Sequence, residues 1–508
     1  MNARHNHFTS RTLLVASLSV VLCAQAAYAQ NLWEEGRNIA GTAQGAETGQ
    51  EADAFIGGKF TSGEFRSPSM GKTVWNAVAQ AQAVSAYDDL YLTGNFGFDL
   101  AYGTQMMGSM FSDPGFYPVD MLEFTPGNKV KQTYSIGGGL AWKNSSAWTP
   151  GITVAFQGIN YAKRKDLRHT TYRQDFEITP SVHYKADSFE AGISAVLGKN
   201  SEFITAEQVG QAKAESYMAF LDKGMRYGTM QVWDGSGTHL NEPGVNRFPV
   251  KQYTYGAALQ ASFGGFLYAD AEYLRTSGEV GEKGYTWFRF PGQSVSAKLI
   301  AAIHGDDMTH IIKAEYQWNA MENHETVTEK VTEGGVTTPR VYGSNLVYRH
   351  KDMSAGLSYE GAHENGWNVT GGASLEHARD LGTLMYPFFD DDRSLHLRLN
   401  AGGSVVLGRF LIRANLTFIQ KLGEHSHVVD FADDNLGLTS TPFRLQDWWD
   451  REQEAQDATR FVLNAAVRYT FNSGIYIEAA CNWIHAFKVV LISGNDRQTT
   501  GLKLGYNF

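Results

Sequence analysis

The strongest constraint on this chain is a period-two alternation of apolar and polar side chains, which continues over segments of about ten residues or more. In the last segment, one face carries Leu502, Leu504, Tyr506 and Phe508. The opposite face carries Lys503, Gly505 and Asn507. A strand in the wall of a transmembrane barrel turns its apolar side chains to lipid and its polar ones to the lumen. The alternation therefore predicts an all-β fold in which a single antiparallel barrel spans a membrane.

The same alternation recurs along most of the chain. It is found in segments 90–102, 129–142, 173–185, 188–198, 250–263, 266–276, 293–303, 307–320, 395–405, 410–421, 461–471 and 475–483. A soluble β-sandwich also alternates, but its strands average about five or six residues, whereas a strand that crosses a bilayer needs about ten. Aromatic residues near strand ends, such as Tyr134 and Trp142, fit the girdles at membrane interfaces. The barrel is the favoured interpretation and the sandwich the alternative.

The connections between these segments alternate between tight and long. Tight turns are predicted at Asp88-Asp89, Ala186-Asp187, Gly264-Gly265, Gly408-Arg409 and Asn472-Ser473-Gly474. Long connections, expected outside the cell, lie near residues 103–128, 199–249, 277–292, 322–339, 379–392 and 422–458. Strict up-and-down alternation fails by one strand between residues 322 and 380. The prediction is therefore an even number of strands, between about 14 and 18.

Two of the long connections carry helical patterns. Thr205 and Gln208 form a capping box ahead of a helix-prone run that reaches about Leu221. Residues 448–458 are similarly rich in Glu, Gln, Asp and Ala. We expect loop helices that cap the mouth of the barrel or fold into it. Disordered loop tips are the alternative.

The first segment has the pattern of a signal peptide. Arg4 and Arg11 precede or begin a short apolar run, and Ala27-Tyr28-Ala29 supplies a small-x-small cleavage site. The apolar run is too short to span a bilayer. Cys23 raises the alternative of a lipoprotein, but the preceding Val20-Val21-Leu22 lacks the small residue typical before a lipidated cysteine. The predicted division is a signal peptide at 1–29, a periplasmic or plug segment at 30–54, and the barrel at 55–508.

Composition excludes several classes of function. The formal net charge is −10 and no basic patch is present, which argues against nucleic-acid binding. After cleavage only Cys481 would remain, so neither a disulfide framework nor a cysteine-based metal site is predicted. Cys481 falls on the lipid-facing side of its segment, where a small hydrophobic side chain fits. No cofactor is predicted.

Several stretches resemble a family of Bacteroidetes outer-membrane barrels of unknown function. They are Leu32-Trp33-Glu34-Glu35-Gly36-Arg37-Asn38, Ala40-Gly41, Asp166-Leu167-Arg168-His169 and Phe248-Pro249-Val250. The resemblance implies the fold, the outer membrane of a Gram-negative bacterium and the phylum, and it implies no chemistry. A weaker likeness is to long-chain fatty-acid transporter barrels, whose N-terminal hatch contains an Asn-Pro-Ala-Gly turn. Here Asn38-Ile39-Ala40-Gly41 lacks the proline.

Ionisable residues at inward positions make the lumen the first candidate site. They are Asp99, Asp175, Glu177, His183, Lys185, Glu190, Asp270, Glu272, Lys313, Glu315, His396, Arg398, Arg413, Arg468, Glu478 and Lys503. Both signs are present, so they do not form a selectivity ring of one charge. One interpretation is a network of ion pairs that stiffens the wall. The other is a polar path for a small solute.

Two further groups of residues suggest metal binding or catalysis. Asp390, Asp391 and Asp392, like Asp430, Asp433 and Asp434, place carboxylates together in a predicted loop, as a Ca²⁺ site would require. His425 and His427 could bind a transition metal or haem iron. Solvated charge runs are the alternative, because no known cation-loop spacing is present. Ser426 between the histidines raises the hypothesis of a hydrolase, but neighbouring residues rarely form a catalytic pair.

The sequence thus favours a non-enzymatic barrel for passive transport of a small solute, with a hydrophobic or amphipathic molecule as one candidate. The alternatives are a surface scaffold associated with an iron or haem uptake complex and, less well supported, an outer-membrane hydrolase. The expected partners are membrane lipid, the solute, and the barrel-assembly machinery, because the terminal strand ending at Phe508 resembles the signal for barrel insertion.

Overall fold

The computed structural model forms one closed antiparallel barrel of 18 strands. It describes residues 31–508 apart from 144–146, 166, 208–217, 226, 233–246, 283–284, 386–387, 424 and 430–444. The predicted signal peptide and the carboxylates of Asp430, Asp433 and Asp434 lie outside the described residues.

The wall is built from strands that pair in chain order. These strands are β1 (Gly49–Gly63), β2 (Thr73–Ala86), β3 (Leu90–Ser109), β4 (Asp120–Trp142), β5 (Trp148–Lys163), β6 (Arg168–Lys185), β7 (Phe189–Glu207), β10 (Arg247–Phe263), β11 (Leu267–Glu282), β12 (Tyr285–His304), β13 (Met308–Glu333), β14 (Val336–His363), β15 (Trp367–Met385), β16 (Phe388–Leu407), β17 (Phe410–Lys421), β19 (Arg460–Thr470), β20 (Ile475–Ala486) and β21 (Asp496–Asn507). Three short strands, β8 (Met218–Asp222), β9 (Gly228–Val232) and β18 (His425–Val429), lie outside this series.

Pairing of the first strand with the last closes the barrel. The register of β1 with β21 runs from Asp53 opposite Asn507 to Gly63 opposite Arg497. Large apolar side chains on the outer face are exposed, among them Ile56, Trp75, Leu357 and Leu502. Closure leaves no unpaired sheet edge along the wall, as a lipid environment requires. The predicted barrel and the even strand number are confirmed, at the upper end of the expected range.

The five predicted tight turns are confirmed, and all lie at the end of the barrel where the wall begins and ends. At Gly264 and Gly265, φ is 56° and 72°, a conformation that favours glycine. Three predicted long loops are wrong, because 277–292, 322–339 and 379–392 are mainly strand. Their polar residues continue the ladder above the lipid, where apolar alternation is not needed. The long hairpin of β13 with β14 and the short turn before β15 also explain the failed alternation between 322 and 380.

Two predicted boundaries also change. Strand β1 begins at Gly49 rather than residue 55, because its polar start pairs with the end of β2. The helix predicted from Thr205 to Leu221 is wrong at both described ends: Thr205 lies in β7, and Leu221 lies in β8, which pairs with β4. The helix predicted at 448–458 is confirmed as α2 (Leu445–Asp457). No helix among the described residues is long and apolar enough to cross a membrane.

The barrel interior as candidate functional site

The segment before β1 lies inside the barrel at the tight-turn end. It contains a 3₁₀ helix (Leu32–Glu35) and the short helix α1 (Ile39–Gly45). Leu32 and Trp33 pack against Tyr268 of β11 and Ile300 of β12. On the other side, Ile39 and its neighbours pack against Tyr91 of β3 and Ala141 of β4. Because these strands surround one side of the lumen, the segment can reach all of them only from within.

Asn38 joins this segment to the wall. Its side-chain oxygen accepts the backbone N–H of Gly41 at 3.0 Å and so caps α1. Its side-chain amide donates to the carbonyl oxygens of Val182 at 3.1 Å and Ile193 at 3.4 Å, which belong to β6 and β7. Asn38 is fully buried. One side chain therefore both starts the helix and fixes it to the barrel.

Glycines on the inner face make room for the segment. A Cβ added at Gly139 of β4 would lie 2.1 Å from Ile39 Cδ1, and one at Gly151 of β5 would lie 2.7 Å from Ile39 Cγ2. At Gly192 of β7 an added Cβ would meet Asn38 Nδ2 at 2.4 Å. Such separations are too short for real carbon atoms, so these wall positions require glycine while the segment is in place.

Charged side chains of the segment meet partners of opposite sign on the wall. Arg37 forms ion pairs with Glu177 at 2.7 Å and with Glu272 of β11. Glu35 forms ion pairs with Lys298 at 3.2 Å and with Lys313. Four wall strands thus hold two charges of the segment.

Trp33 makes a further polar contact at the same end. Its indole N–H donates to Glu190 Oε2 at 2.8 Å, and its ring lies edge-on to His183 with centroids 4.7 Å apart. The imidazole of His183 is itself 3.3 Å from Glu190. The neighbouring Asp270 accepts hydrogen bonds from Gln260 and Tyr268. His183, Glu190 and Asp270 therefore either contact the N-terminal segment or bind residues next to it.

At the opposite end, loops fold inward over the same side of the lumen, and the turn after β8 extends to β13 and β14, where Lys223 lies 2.6 Å from Glu325 and Met225 packs against Tyr348. Strand β8 pairs with β4 between Asp120–Asp222 and Glu123–Ala219, and residues 110–119 pack beside it. The resulting apolar cluster includes Met110, Phe111, Tyr117, Leu221, Phe248, Val280, Trp287 and Phe290. Below it, the buried Glu123 carboxylate pairs with Lys129 at 3.0 Å and with Lys163. Asp175 pairs with Arg173 at 2.9 Å. On the side of β4 to β11, the loop end is therefore closed by the chain itself.

The inner faces of β6, β7, β10 and β11 are therefore covered, and we call them the filled half. Buried inward residues of this half are Thr171, Thr179, Ser181, His183, Ser194, Val196, Ala258, Gln260, Tyr268 and Glu272. The inner faces of β14–β17 differ, and we call them the open half. Half-buried inward residues of this half are Ser354, Ser358, Thr370, Gly372, Ser374, Asn400, Ser404, Asn415 and Thr417. The open half is lined by small, polar side chains that are accessible to water.

Ion pairs also line the wall beyond the filled half. The buried carboxylate of Glu478 receives Arg413 at 2.5 Å, Arg468 at 2.9 Å and Lys503 at 3.4 Å. Arg398 pairs with Glu376 at 3.1 Å, and both side chains are 43% exposed. This exposure distinguishes that pair from the buried ones at Glu123 and Glu478.

Helix α2 lies over the loop end and contacts β16 and β17 of the open half. Glu454 accepts the backbone N–H groups of Val490, Leu491 and Ile492 at 2.6–2.8 Å. Glu452 accepts hydrogen bonds from the backbone N–H of Ser69 at 2.7 Å and from its hydroxyl at 3.0 Å. The carboxylates of Glu452 and Glu454 thus attach α2 to the β1–β2 and β20–β21 connections.

The last residue of α2 contacts the wall. Asp457 lies 2.7 Å from Lys421 and 3.2 Å from His396. Burial raises the pKa of this carboxyl, but hydrogen bonds from His396 and Lys421 outweigh it, so the pKa lies below the ordinary value. The ionised carboxylate is therefore the form that holds the helix.

A family model settles the relationship of the chain to known sequences. The model of a family of unknown function, DUF6850, matches residues 40–508. The chain belongs to the DUF6850 family. A search of curated proteins finds no match to this DUF6850 protein.

Solved structures with a similar outline are outer-membrane proteins. The pyoverdine-bound FpvA of P. aeruginosa has 9% identity and a TM-score of 0.41, with 91% of this chain and 72% of that chain covered. FauA, the alcaligin receptor of Bordetella pertussis, has 8% identity and a TM-score of 0.38, with 90% and 76% covered. OccAB4 of Acinetobacter baumannii has 10% identity and a TM-score of 0.33, with 91% and 98% covered.

The structure separates the predicted lumen residues into groups. Glu177, His183, Asp270 and Glu272 surround the N-terminal segment, and Asp175 lies under the inward loops. Arg413, Arg468 and Glu478 form one cluster. His396 contacts α2, and Arg398 pairs with Glu376. The sequence prediction named none of the segment's own charged partners, Glu35 and Arg37. The inward glycines on three nearby strands were the available sequence signal that a segment lies inside the barrel.

Two of the predicted acidic metal ligands of the DUF6850 barrel, Asp391 and Asp392, contact different side chains. Asp391 pairs with Arg379 at 2.8 Å and Arg393 at 2.9 Å, whereas Asp392 accepts a hydrogen bond from Gln453 of α2 at 3.3 Å. Hydrogen bonds from Arg379 and Arg393 lower the pKa of Asp391 to about 2. Asp390 is buried. In the described part of the chain, no group of three or more His, Cys, Asp or Glu residues is placed to hold a metal ion.

The histidine pair and the serine between them lie in β18. By register, His425 stands opposite Arg393 and His427 opposite Asp391. The side chains of His425, Ser426 and His427 are outside the described part, so the proposals of a metal site or a hydrolase there stay predictions.

Proposed function

We propose that this DUF6850 barrel lets a small polar solute cross the outer membrane passively, along the open half of its lumen. The observation that carries the proposal is the water-accessible row of Ser, Thr and Asn side chains on β14–β17. Barrels of 16 to 18 strands are wide enough for an aqueous path. These hydroxyl and amide groups suit a solute that needs hydrogen bonds better than a hydrophobic one.

The N-terminal segment is the proposed plug. It occupies the filled half at one end, and the inward loops occupy it at the other. Removing the segment should therefore widen the path without breaking the wall. A bacteroidete origin, a Gram-negative outer membrane and the likeness to fatty-acid transporters stay predictions. So does recognition of the terminal strand, whose Phe508 is exposed, by the assembly machinery.

A planar-bilayer recording tests this function. The full mature chain should give small, discrete conductance steps, because only the open half is accessible. A variant that lacks residues 31–46 keeps β1 intact, since that strand begins at Gly49. Its steps should be several-fold larger. If both proteins fold, insert and stay electrically silent, the proposal is wrong.

The scaffold alternative has one observation in its favour. Pairing of β13 with β12 ends at Glu325, and pairing of β14 with β15 ends at Tyr348. Beyond these points the two strands continue as a ribbon up to Glu333 and Val336, which among the described residues pairs only in its own hairpin. Open strand edges invite pairing with a strand of another protein. If residues 328–342 are deleted, a surface partner captured by the intact protein should be lost while conductance is unchanged.

A further inference from the structure

Charges along the accessible part of the lumen are segregated by strand. Inward cations follow one another from β16 round to β1, and we call this surface the cationic wall. Its members are Lys59, Arg398, Arg413, Lys421, Arg460, Arg468, Arg497 and Lys503. Acidic side chains on the same faces are Glu51, Asp53, Asp390, Asp392 and Glu478. Glu478 is surrounded by three cations, so that cluster stays positive.

The neighbouring strands β13–β15 carry the opposite sign, and we call their inner face the acidic wall. Its carboxylates are Glu315, Asp352, Glu360, Glu376 and Asp380. The basic groups on this face are Lys313, which pairs with Glu35 of the N-terminal segment, and His350, which lies between two aspartates. Lys298 of the neighbouring β12 lies 3.8 Å from Glu315, and Arg398 pairs with Glu376. The negative excess of the acidic wall is therefore greatest at Glu360 and at the two aspartates around His350.

Both walls present their charges to water inside the barrel. On the acidic wall, the side chains of Glu315 and Glu376 are 49% and 43% exposed. On the cationic wall, Arg398 and Arg413 are 43% and 25% exposed. Glu360 is half-buried and accepts a hydrogen bond from Asn368 at 3.4 Å. A solute in the open half would thus pass between reachable carboxylates and reachable guanidinium groups.

The arrangement discriminates among solutes by charge. Protein walls of low dielectric constant concentrate the electric field in a narrow lumen. A simple anion is attracted to one wall and repelled by the other, and a simple cation experiences the reverse. A neutral solute gains from neither. A solute that carries both an ammonium and a carboxylate group can be attracted to both walls at once.

We infer that the solute is a small zwitterion of the amino-acid or short-peptide class. The inference rests on the proposed permeation and specifies what permeates. The carboxylate would face Arg398 and Arg413 and the ammonium group Glu315 and Glu360, while hydroxyl and amide groups of the open half replace lost water.

Four solutes of nearly equal size test the inference. Alanine is the zwitterion, lactamide the neutral analogue, lactate the anion and alaninamide the cation. Entry into proteoliposomes that contain the full mature chain, or the variant lacking residues 31–46, is measured for each. Alanine should enter about three to ten times faster than the other three, which corresponds to roughly 1 kcal/mol of selective stabilisation.

Two paired variants predict opposite shifts. Glu315→Gln with Glu360→Gln removes the two carboxylates that would face the ammonium group, so lactate should become the fastest solute. Arg398→Gln with Arg413→Gln removes the two guanidinium groups that would face the carboxylate, so alaninamide should become the fastest. Glu322→Gln removes a carboxylate that pairs with Arg349 on the other face of β13 and should leave the order unchanged. Heat-modifiable migration in electrophoresis verifies folding, and if the arginine variant does not fold, the carboxylate variant alone decides.

The outcomes separate the two proposals. Equal entry of all four solutes would overturn the zwitterion inference and leave passive permeation intact. Faster entry of lactate or alaninamide than alanine through the unaltered lumen would overturn it as well. Entry of none of them, even without residues 31–46, would overturn the proposed function itself.

Discussion

The two halves of the lumen are built from the same kind of strand but end in opposite states. In the filled half, inward polar residues such as Ser194 and His183 are fully buried beneath the chain's own segments. In the open half, residues of the same type, such as Ser374 and Asn415, remain half-buried and accessible. The alternation that makes a wall therefore does not decide whether the lumen beside it is open. That is decided by what else the chain places inside.

Space and charge explain where the N-terminal segment lies. Inward glycines on β4, β5 and β7 leave a depression that matches Ile39, Asn38 and Trp33. Carboxylates on β6 and β11 meet Arg37. On β15 and β16 the exposed pair of Glu376 with Arg398 is already complete and binds no other segment of the described chain. Comparing substitutions in the filled half with control substitutions elsewhere in the barrel tests this explanation.

The largest difference is expected for ion pairs. Arg37→Met leaves Glu272, whose side chain is 5% exposed, without its charged partner and should weaken docking of the segment by about 3 kcal/mol. Protease cleavage within residues 31–46 should then accelerate by about two orders of magnitude, because it follows the undocked population. Arg398→Met, in the open half, should change stability by less than about 1 kcal/mol. Equal effects of the two changes would contradict the distinction.

A smaller effect is expected from filling the depression. Gly192→Ala puts a Cβ 2.4 Å from Asn38 Nδ2 and 2.8 Å from the ring of Trp33, which should cost about 1–3 kcal/mol of docking. Gly94→Ala on β3 meets nothing within 4 Å. Both changes restrict the unfolded chain equally, so the difference in segment cleavage reports the clash. No difference would mean that the segment does not rest against Gly192.

The cap of α1 should contribute about 1 kcal/mol. Asn38→Ala removes both the bond to Gly41 and those to β6 and β7. Asn38→Ser keeps a capping oxygen but loses the amide donors to the wall. Segment cleavage should therefore be intermediate for the serine variant. If serine restores full protection, the wall contacts of Asn38 contribute nothing.

The smallest effect concerns α2 and is pH-dependent. Since the folded pKa of Asp457 lies below its ordinary value of about 3.9, its contribution is complete above that value. It is lost as the pH falls through the lower folded pKa. Hydrogen exchange of the α2 amides, corrected for intrinsic rates, should accelerate only below about pH 4. Asp457→Asn should remove this dependence, and an unchanged profile in that variant would assign it to other groups.

How far the sequence could predict this molecule depends on the physical origin of each feature. Strands such as β20 and β21 could be predicted, because contact with lipid requires an apolar residue at every second position. The parts of strands above the membrane, such as the start of β14, could not be predicted, because contact with water requires no alternation of apolar and polar residues. The helix predicted from the Thr205 capping box was wrong at Thr205, because the pairing of β7 with β6 and β10 outweighed the local helical signal. The alternation predicts which charges share a face of each strand, but their partners across the lumen depend on long-range packing.

Thiol labelling tests the central claim most directly. With both native cysteines replaced by serine, single cysteines are introduced at Ser374 and Asn415 in the open half and at Ser181 and Ser194 in the filled half. A small, membrane-impermeant thiol reagent should modify the open-half positions at least about tenfold faster, because the filled-half positions react only after local opening. Equal rates at all four positions would contradict the division of the lumen into an open and a filled half.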